Sequence, residues 1–198
     1  MKLSKGWIIL IIVVVIIILI ISWGVRSYNN LVTQQENVNQ AWAQVENVYQ
    51  RRADLIPNLV NTVKGVANFE QKTLTDVIEA RSKATSVQIS PEKLDEVSLQ
   101  KFQAAQDNLS SALARLMVVV ENYPQLKATQ NFLELQSQLE GTENRITVER
   151  QKFNQVAQAY NTLVRKFPSS IFAGMFGFEK KGYFEAQEGA EKAPQVQF

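Results

Sequence analysis

Residues 8–21 read IILIIVVVIIILII, an unbroken apolar run without a charge, a glycine or a proline, and Trp7 and Trp23 lie at its two ends. A helix needs about 20 apolar residues to cross a bilayer, with about 17 as the lower limit. The segment from one tryptophan to the other meets that limit. Because indole rings prefer the headgroup level, both tryptophans are predicted to be membrane-interface anchors. The run therefore predicts one transmembrane helix over residues 7–24, after a short flank at residues 1–6.

Two other interpretations of the run are weaker. A cleaved signal peptide would explain Lys2 and Lys5 ahead of an apolar stretch, but such peptides end in small residues, and here the bulky Trp23 stands at that place. Lipoprotein attachment is excluded because the chain has no cysteine. A buried core helix is disfavoured because twelve of the fourteen residues are Ile or Val, so every face is apolar.

The flanking charges bear on orientation. Lys2, Lys5 and the terminal amine precede the run, and Arg26 follows it closely. Positive charge is retained on the cytoplasmic side of a membrane. This pattern predicts a cytoplasmic N-terminus and a soluble domain on the extracytoplasmic side, by a margin of about one charge.

The soluble part is electrically balanced. With Lys2 and Lys5 ahead of the span, nineteen basic and nineteen acidic residues remain. The sequence pI of 8.8 is therefore no reason to expect a nucleic-acid partner. About 175 residues after the anchor are enough for one domain with a real core.

The pattern beyond the span is helical. Glycine and proline are scarce between residues 25 and 167, and apolar residues recur at spacings of three and four. Ser90 followed by Pro91 is typical of a helix start. Four helices are predicted, at residues 25–68, 70–85, 90–123 and 128–166.

In three of these helices the residues at spacings of three and four form a mainly apolar stripe, called a seam below. Its period is near 3.5 residues, which is typical of left-handed bundle packing. The predicted seam residues are Val38, Ala41, Val45, Val48, Arg52, Leu55, Leu59, Thr62 and Val66, with a second column at Trp42, Tyr49, Ile56 and Val63; Phe102, Ala105, Leu109, Ala112, Leu116, Val119 and Tyr123; and Phe132, Leu135, Leu139, Thr142, Ile146, Glu149, Phe153, Val156, Tyr160, Leu163 and Phe167. The fold class predicted is all-α: a transmembrane helix, an antiparallel up-and-down four-helix bundle over residues 25–167 and an aromatic tail over residues 168–198.

Gly24 and Pro57 are the breakers in the first of these segments. Gly24 alone separates the span from the first bundle helix, so the two could form one rod. Pro57 removes the hydrogen bond to the Ala53 carbonyl and is predicted to kink the helix.

Two charged residues occupy the centres of seams. If the first and fourth helices are antiparallel and their midpoints are level, Arg52 and Glu149 meet, with Arg81 of the second helix as a possible third member. Such a polar seam would set helix register rather than add stability. The alternative is that these side chains extend outward from the edge of the seam to reach water.

The sequence lacks the residues of most catalytic sites. With no histidine and no cysteine, it cannot form a catalytic triad, a thiol nucleophile or a zinc site of the usual ligands. Glu143 and Glu149 alternate with Arg145 and Arg150, which is typical of a solvated helix face. We expect no enzyme activity, no cofactor and no metal site.

The tail is unusually aromatic over residues 169–184. It is too short and too interrupted to span a membrane. It could cover one end or groove of the bundle, or form an exposed surface for a partner, a neighbouring protomer or the bilayer interface. The candidate interaction surface consists of Ile171, Phe172, Met175, Phe176, Phe178, Tyr183 and Phe184.

Residues 50–60, QRRADLIPNLV, resemble the most recognisable block of the LemA family. The resemblance covers nearly the whole chain in the right order, through YNNLV at 28–32, AW at 41–42, VKG at 63–65, EAR at 79–81, YPQL at 123–126, ENRI at 143–146, YN at 160–161, FP at 167–168, FGF at 176–178 and YF at 183–184. It implies a single-pass protein of the bacterial inner membrane with an up-and-down helical bundle. It also favours the opposite orientation, with the bundle in the cytoplasm. It implies no biochemical activity and no catalytic residues.

Two functional hypotheses follow. The first is a non-catalytic scaffold or adaptor of the bacterial envelope that is bound to the lipid bilayer and forms homo-oligomers. The second is a regulatory partner of an envelope enzyme or sensor system, such as a protease, a phosphatase-like domain or a signalling protein.

Overall fold

The computed structural model describes residues 5–65 and 70–185. Of these residues 86% are helical and none is in a strand, so the all-α prediction is confirmed. The predicted seam position Val66, the last residues of the tail and the start of the N-terminal flank lie outside the described residues. The helices are α1 (Lys5–Lys64), α2 (Gln71–Ser86), a single 3₁₀ turn (Pro91–Lys93), α3 (Glu96–Val120), α4 (Pro124–Lys127), α5 (Gln130–Arg165) and α6 (Ser169–Phe176).

The ends of α2 and α5 agree with the predicted segments within a few residues, but α3 begins at Glu96 rather than Ser90. The short helices α4 and α6 were not among the predicted segments, and the predicted end of the first bundle helix at residue 68 lies outside the described residues. Ser90 and Pro91 begin only the 3₁₀ turn, and the Ser90 side chain makes no capping hydrogen bond. Asp95 caps α3 instead, since its Oδ1 accepts a hydrogen bond of 2.7 Å from the Ser98 backbone N–H. This bond holds the pKa of the Asp95 carboxyl below its usual value. The buried Leu94 separates the turn from the helix.

α1 is one helix through both predicted breakers, Gly24 and Pro57. An 18-residue window near its N-terminus has a mean hydropathy of 3.5, and 6% of that window is buried. A core helix would be mostly buried, so this property excludes that interpretation of the apolar run. α1 is long and apolar enough to cross a membrane.

The chain divides into two compact units. The first contains Met1–Gln40 and Gln155–Lys181, and the second contains Ala41–Asn154 and Gly182–Phe198. α1 and α5 each contribute to both. In the first unit, buried side chains come from one face of α1 and one face of α5, and include Leu31, Val38, Ala157 and Tyr160.

The core of the second unit follows the predicted seams. The predicted second column of α1 is buried at all four positions: Trp42, Tyr49, Ile56 and Val63. One end of this core is mostly aliphatic, where α1 and α2 meet Leu109 and Leu116 of α3 and Phe132 and Leu139 of α5. The other end is aromatic and contains Trp42, Tyr49, Phe102, Phe153 and Phe184. Glu149, Val156 and Leu163 of the α5 seam are half-buried, and Phe167 is exposed.

Candidate functional site

A buried arginine forms the polar centre of the second unit. The Arg52 side chain is 2% exposed, and its NH1 donates to Glu143 Oε2 at 2.9 Å and to Ser110 Oγ at 2.8 Å. Its NH2 donates to the Gln106 side-chain oxygen at 2.7 Å. The Gln106 amide in turn donates to the Ala84 carbonyl at 3.2 Å. This network connects α1, α2, α3 and α5 through one guanidinium group.

The predicted pair of Arg52 with Glu149 is wrong. Glu149 is paired with Lys152 one turn along α5 at 2.7 Å, and Arg52 meets Glu143. The prediction assumed that the midpoints of two seams are level. The α5 seam extends to Phe167, which is exposed, so its midpoint is not the midpoint of the packed region.

Arg81 does not join the Arg52 network either. Its Nε donates to the backbone oxygen of Ala53 at 2.7 Å. Pro57 lies inside α1 and the helix continues to Lys64; the predicted kink stays a prediction. The polar seam therefore exists around Arg52, with Glu143, Gln106 and Ser110 in place of Glu149 and Arg81.

The last described residues form an extended strap in the second unit. The side chain of Phe184 is 5% exposed and contacts the rings of Trp42, Phe102 and Phe153. The Asn154 amide makes a two-way clamp on its backbone, accepting from the Phe184 N–H and donating to its carbonyl, each at 2.9 Å. Phe184 is therefore a core residue and not part of an exposed interaction surface.

Side chains of α3 and α5 hold the end of the strap. Gln103 clamps Glu185 in the same two-way manner, with both distances at 3.2 Å. Arg150 donates to the Glu185 carbonyl at 2.7 Å and stacks over the Phe184 ring at 4.8 Å. A Cβ added at Gly182 would lie 2.8 Å from the Glu96 backbone, so only glycine fits where the strap crosses the start of α3.

An aromatic cluster lies beside the end of the apolar run in the first unit. Trp23 meets Phe172 edge-on at 5.2 Å between ring centroids, and Tyr28 meets Phe176 at 4.9 Å and Phe178 at 5.8 Å. These three phenylalanines belong to the predicted interaction surface. Of the rest of that surface, Ile171, Met175 and Tyr183 are exposed and Phe184 is buried. Trp7, the other predicted anchor, is also exposed.

Gly24 allows the closest of these contacts. A Cβ at this position would lie 3.0 Å from Cε1 of Phe172 and 3.2 Å from its Cζ. Gly24 is therefore a close-approach position in a continuous helix rather than a helix breaker. It also lines an apolar groove of about 430 Å³ formed by α1 and α6, together with Ile20, Ile21 and Phe172.

The segment after α6 is also clamped by an asparagine. Asn161 of α5 accepts from the Lys181 N–H and donates to its carbonyl, both at 2.8 Å. Near it, burial and the negative charge of Glu179 raise the pKa of Tyr160 to about 12. The Tyr160 phenol therefore stays neutral up to a pH well above that at which a tyrosine usually loses its proton.

A cleft of about 860 Å³ with both polar and apolar walls opens on the second unit between α1, the segment after α2 and α3. Glu46, Tyr49, Lys101 and Gln106 are among its lining residues. Burial raises the pKa of the Tyr49 phenol, and partial desolvation raises the pKa of Glu46, against the lowering effect of the Trp42 indole. Over residues 5–65 and 70–185, no group of three or more His, Cys, Asp or Glu is placed to hold a metal ion.

Sequence reasoning missed Glu143, Gln106 and the clamping asparagines. Asn154 and Asn161 lie seven residues apart on α5, a spacing that places polar amides on one helix face. Glu143 directly follows the seam residue Thr142. These signals were available, but each is also common on solvated helix faces.

Comparison with known proteins matches the LemA family over residues 41–198. The magnetosome protein MamQ 2 of Paramagnetospirillum magneticum is 26% identical over 181 residues, which cover 83% of this chain and 66% of the relative. MamQ of Magnetospirillum gryphiswaldense is 25% identical with the same coverage. Protein LemA of Metamycoplasma hominis is 23% identical over 160 residues, 81% of this chain and 69% of the relative.

The chain spans slightly less than two thirds of the length of the magnetosome relatives. The family match begins at Ala41 and includes the Arg52 network, the cleft and the strap. It covers well over half of the 198 residues. The chain belongs to the LemA family.

Proposed function

We propose that this protein is a membrane-anchored, non-catalytic helical scaffold or adaptor of the bacterial envelope that self-associates on the membrane. The observation that carries the proposal is α1. One uninterrupted helix contains the exposed apolar window and, further along, the residues Trp42 to Val63 that form the core of the second unit. A chain with this arrangement presents a packed helical domain from a bilayer.

The finer architecture proposed for the second unit is an antiparallel bundle. Arg52 of α1 contacts Glu143 of α5, and Trp42, ten residues earlier, contacts Phe153, ten residues later. Partners that move in opposite directions along two helices support antiparallel packing. The proposed four-helix bundle consists of α1, α2, α3 and α5.

The test of self-association is the mass of the full-length protein in mild detergent. Removing residues 169–198 is unsuitable as a comparison because it would also take Phe184 out of the core. A variant with Val118→Lys and Leu133→Lys, two exposed apolar residues of the second unit, is the better comparison. A large, defined assembly supports the scaffold, and its loss in the variant would place the contact on this unit. A monomer at every concentration would contradict the scaffold.

Membrane side and anchor retention have a separate test. Because the chain has no cysteine, single cysteines at Lys2 and at the exposed Glu121 report position cleanly with an impermeant maleimide on intact cells. We expect labelling of Glu121→Cys and not of Lys2→Cys if the second unit is extracytoplasmic at the inner membrane, and the reverse if it is cytoplasmic. Intact mass of the isolated protein shows whether residues 1–24 are retained.

A second candidate function is regulation of an envelope enzyme or sensor system through the cleft beside Glu46 and Lys101. The cleft is open and contains both charge signs, which suits a polar peptide of another protein. Photo-crosslinking from Lys101 in cells, with Glu121 as the matched exposed control, tests it. A specific partner crosslinked at Lys101, with a monomeric free protein, would favour this candidate over the scaffold.

A further inference from the structure

We propose that α6 is a second membrane contact: an interfacial helix that inserts its exposed apolar side chains into the bilayer that α1 crosses. The inference rests on the proposed anchor but not on self-association. Its observations all come from the first unit, from the end of the apolar run, from α6 and from the charges around them.

The first observation is the depth at which α6 lies. Phe172 packs on Gly24 and Trp23, and Phe176 packs on Tyr28. From Ile21, the last residue of the apolar run, to Tyr28 is about 10 Å along a helix. The headgroup layer on each side of a bilayer is about 5 to 7 Å thick. Gly24 is about 4.5 Å beyond Ile21 along the helix, so the Phe172 end of α6 lies within this layer and the Phe176 end, beside Tyr28, lies just outside it.

The second observation is the surface that α6 presents. Met175 is 68% exposed, and Ile171 and Phe176 are exposed beside it. Three large apolar side chains on an eight-residue helix are costly in water, but interfacial helices bury such a face about 5 to 10 Å deep among headgroups and acyl chains. Phe167, two residues before this helix, adds a fourth exposed apolar side chain.

The third observation identifies the occupant of the groove between α1 and α6. Ile20, Ile21 and Val25 form its α1 side and Phe172 and Phe176 its α6 side, and its lining is almost wholly apolar. Ile20 and Ile21 belong to the run that crosses the bilayer, so the groove opens into the hydrocarbon region. A phospholipid acyl chain is the ligand that is present there at high concentration.

The fourth observation is charge. The segment 165–181 carries four basic residues and one acid, Glu179. Lys166 and Lys180 are exposed at the two ends of the α6 region, and Arg26 is exposed one turn from Trp23. Basic side chains at the membrane surface attract anionic headgroups. The lipid that fits best is therefore an anionic phospholipid.

The test uses full-length single-cysteine variants carrying an environment-sensitive fluorophore, in vesicles of phosphatidylcholine with about 30% phosphatidylglycerol. Met175→Cys reports on α6. Val118→Cys is the matched control, since Val118 is 65% exposed but lies in the second unit. Ile16→Cys reports on the anchor. Quenchers are lipids that carry spin labels near the headgroup or deep in the acyl chain.

We expect the headgroup spin label to quench the fluorophore at Met175, the deep acyl-chain label to quench it at Ile16, and neither label to quench it at Val118. Quenching at Met175 should weaken when phosphatidylglycerol is left out. Deep quenching at Ile16 with a water-exposed Met175 would overturn the inference and leave the anchor intact. Failure of quenching at Ile16 would overturn the anchor itself. Equal quenching at Val118, or shielding of Met175 that rises with protein density and not with lipid quencher, would also overturn the assignment of α6 to the bilayer.

Discussion

The Nε of Arg81 donates a 2.7 Å hydrogen bond to the backbone oxygen of Ala53, the carbonyl to which Pro57 cannot donate. In an α-helix this oxygen accepts from the N–H four residues later, and Pro57 has no N–H. Ala53 is buried, so water cannot supply a donor easily. A side chain of α2 therefore completes the hydrogen bonding of α1 where the proline interrupts it.

This relationship predicts a coupling between Arg81 and Pro57. Replacement of Arg81 by Leu leaves a buried carbonyl unpaired, and we expect it to lower the free energy of unfolding by about 1 to 3 kcal/mol. In a Pro57→Ala background the restored N–H of residue 57 donates to the Ala53 carbonyl. Arg81→Leu should then lower the free energy of unfolding by clearly less. Denaturant unfolding in detergent, followed by circular dichroism, measures both. An equal cost of Arg81→Leu in the two backgrounds would exclude the compensation.

The Arg52 network predicts an unusual effect of a half-exposed acid. The Glu143 side chain is 46% exposed, but its partner Arg52 is fully buried. Glu143→Leu leaves that guanidinium without a counter-charge, for which we expect a loss of about 3 kcal/mol. Adding Arg52→Met should recover part of this loss, because the buried charge is then gone.

Glu149→Leu is the control, since Glu149 pairs with Lys152 on the surface of its own helix. A change within about 0.5 kcal/mol is expected there. If Glu149→Leu and Glu143→Leu had the same effect, the assigned partner would be wrong. Melting that stays equally sharp in the Arg52→Met, Glu143→Leu double variant would count against a role of the pair in helix register.

Much of the fold could be predicted from local signals. The run at 8–21, the scarcity of glycine and proline beyond it and the seams of period near 3.5 give α1, α2, α3 and α5 and most of their buried faces, because burial follows periodicity within one helix. The aromatic tail was recognised from composition. Each of the two interpretations of the tail holds for some of its residues. Phe184 is buried in the core, and Met175 is exposed on the surface.

The register between helices could not be predicted in the same way. Which acidic residue contacts Arg52 depends on the axial position of α5 relative to α1. The pattern of residues within each helix does not determine that position. The clamps of Asn154 and Asn161, and the close approach at Gly182, depend on where the segment after α6 and the strap pass the other helices. The sequence contains these residues but not their partners.

The strap predicts that substitutions of two neighbouring residues, Phe184 and Tyr183, differ strongly in their effect on the free energy of unfolding. Phe184→Ala removes a ring from the aromatic core, and a cost of about 3 to 5 kcal/mol is typical of such a truncation. Tyr183, its neighbour, is 41% exposed, and Tyr183→Ala should change the free energy of unfolding little by comparison. Asn154→Leu removes both hydrogen bonds to Phe184 and should cost about 1 to 3 kcal/mol. Chemical unfolding ranks the three variants, and similar costs for Phe184 and Tyr183 would contradict the buried strap.

The first unit should lose stability in alkali because of Tyr160. Burial and Glu179 raise the pKa of this phenol to about 12, whereas the phenol of an unfolded chain titrates near 10. Between these values the folded state binds the proton more tightly, so stability declines as the pH rises from about 10 to about 12 and is unaffected below. Wild type and Tyr160→Phe should differ in phenolate absorbance only in the upper part of this range. A difference centred near pH 10 would show an ordinary tyrosine.

The contact of Gly24 with Phe172 predicts a conflict between helix propensity and packing. Gly24→Ala should favour α1 by up to about 1 kcal/mol, but its Cβ would lie 3.0 Å from the Phe172 ring, so the ring must move away by a few tenths of an ångström. Displacement should weaken the seating of α6, so hydrogen exchange in Ser169–Phe176 becomes about two- to tenfold faster. Phe172→Leu in the same chain should relieve the clash and reduce the effect.

Gly141→Ala is the matched control for this substitution, because no atom lies within 4 Å of its added Cβ. It offers the same gain in helix propensity without a clash, so exchange of α6 should stay unchanged. Unchanged exchange in Gly24→Ala as well would mean that α6 is not held by this contact. The position of α6, and with it the depth argument for a second membrane contact, would then depend on the ring contacts of Trp23 and Tyr28.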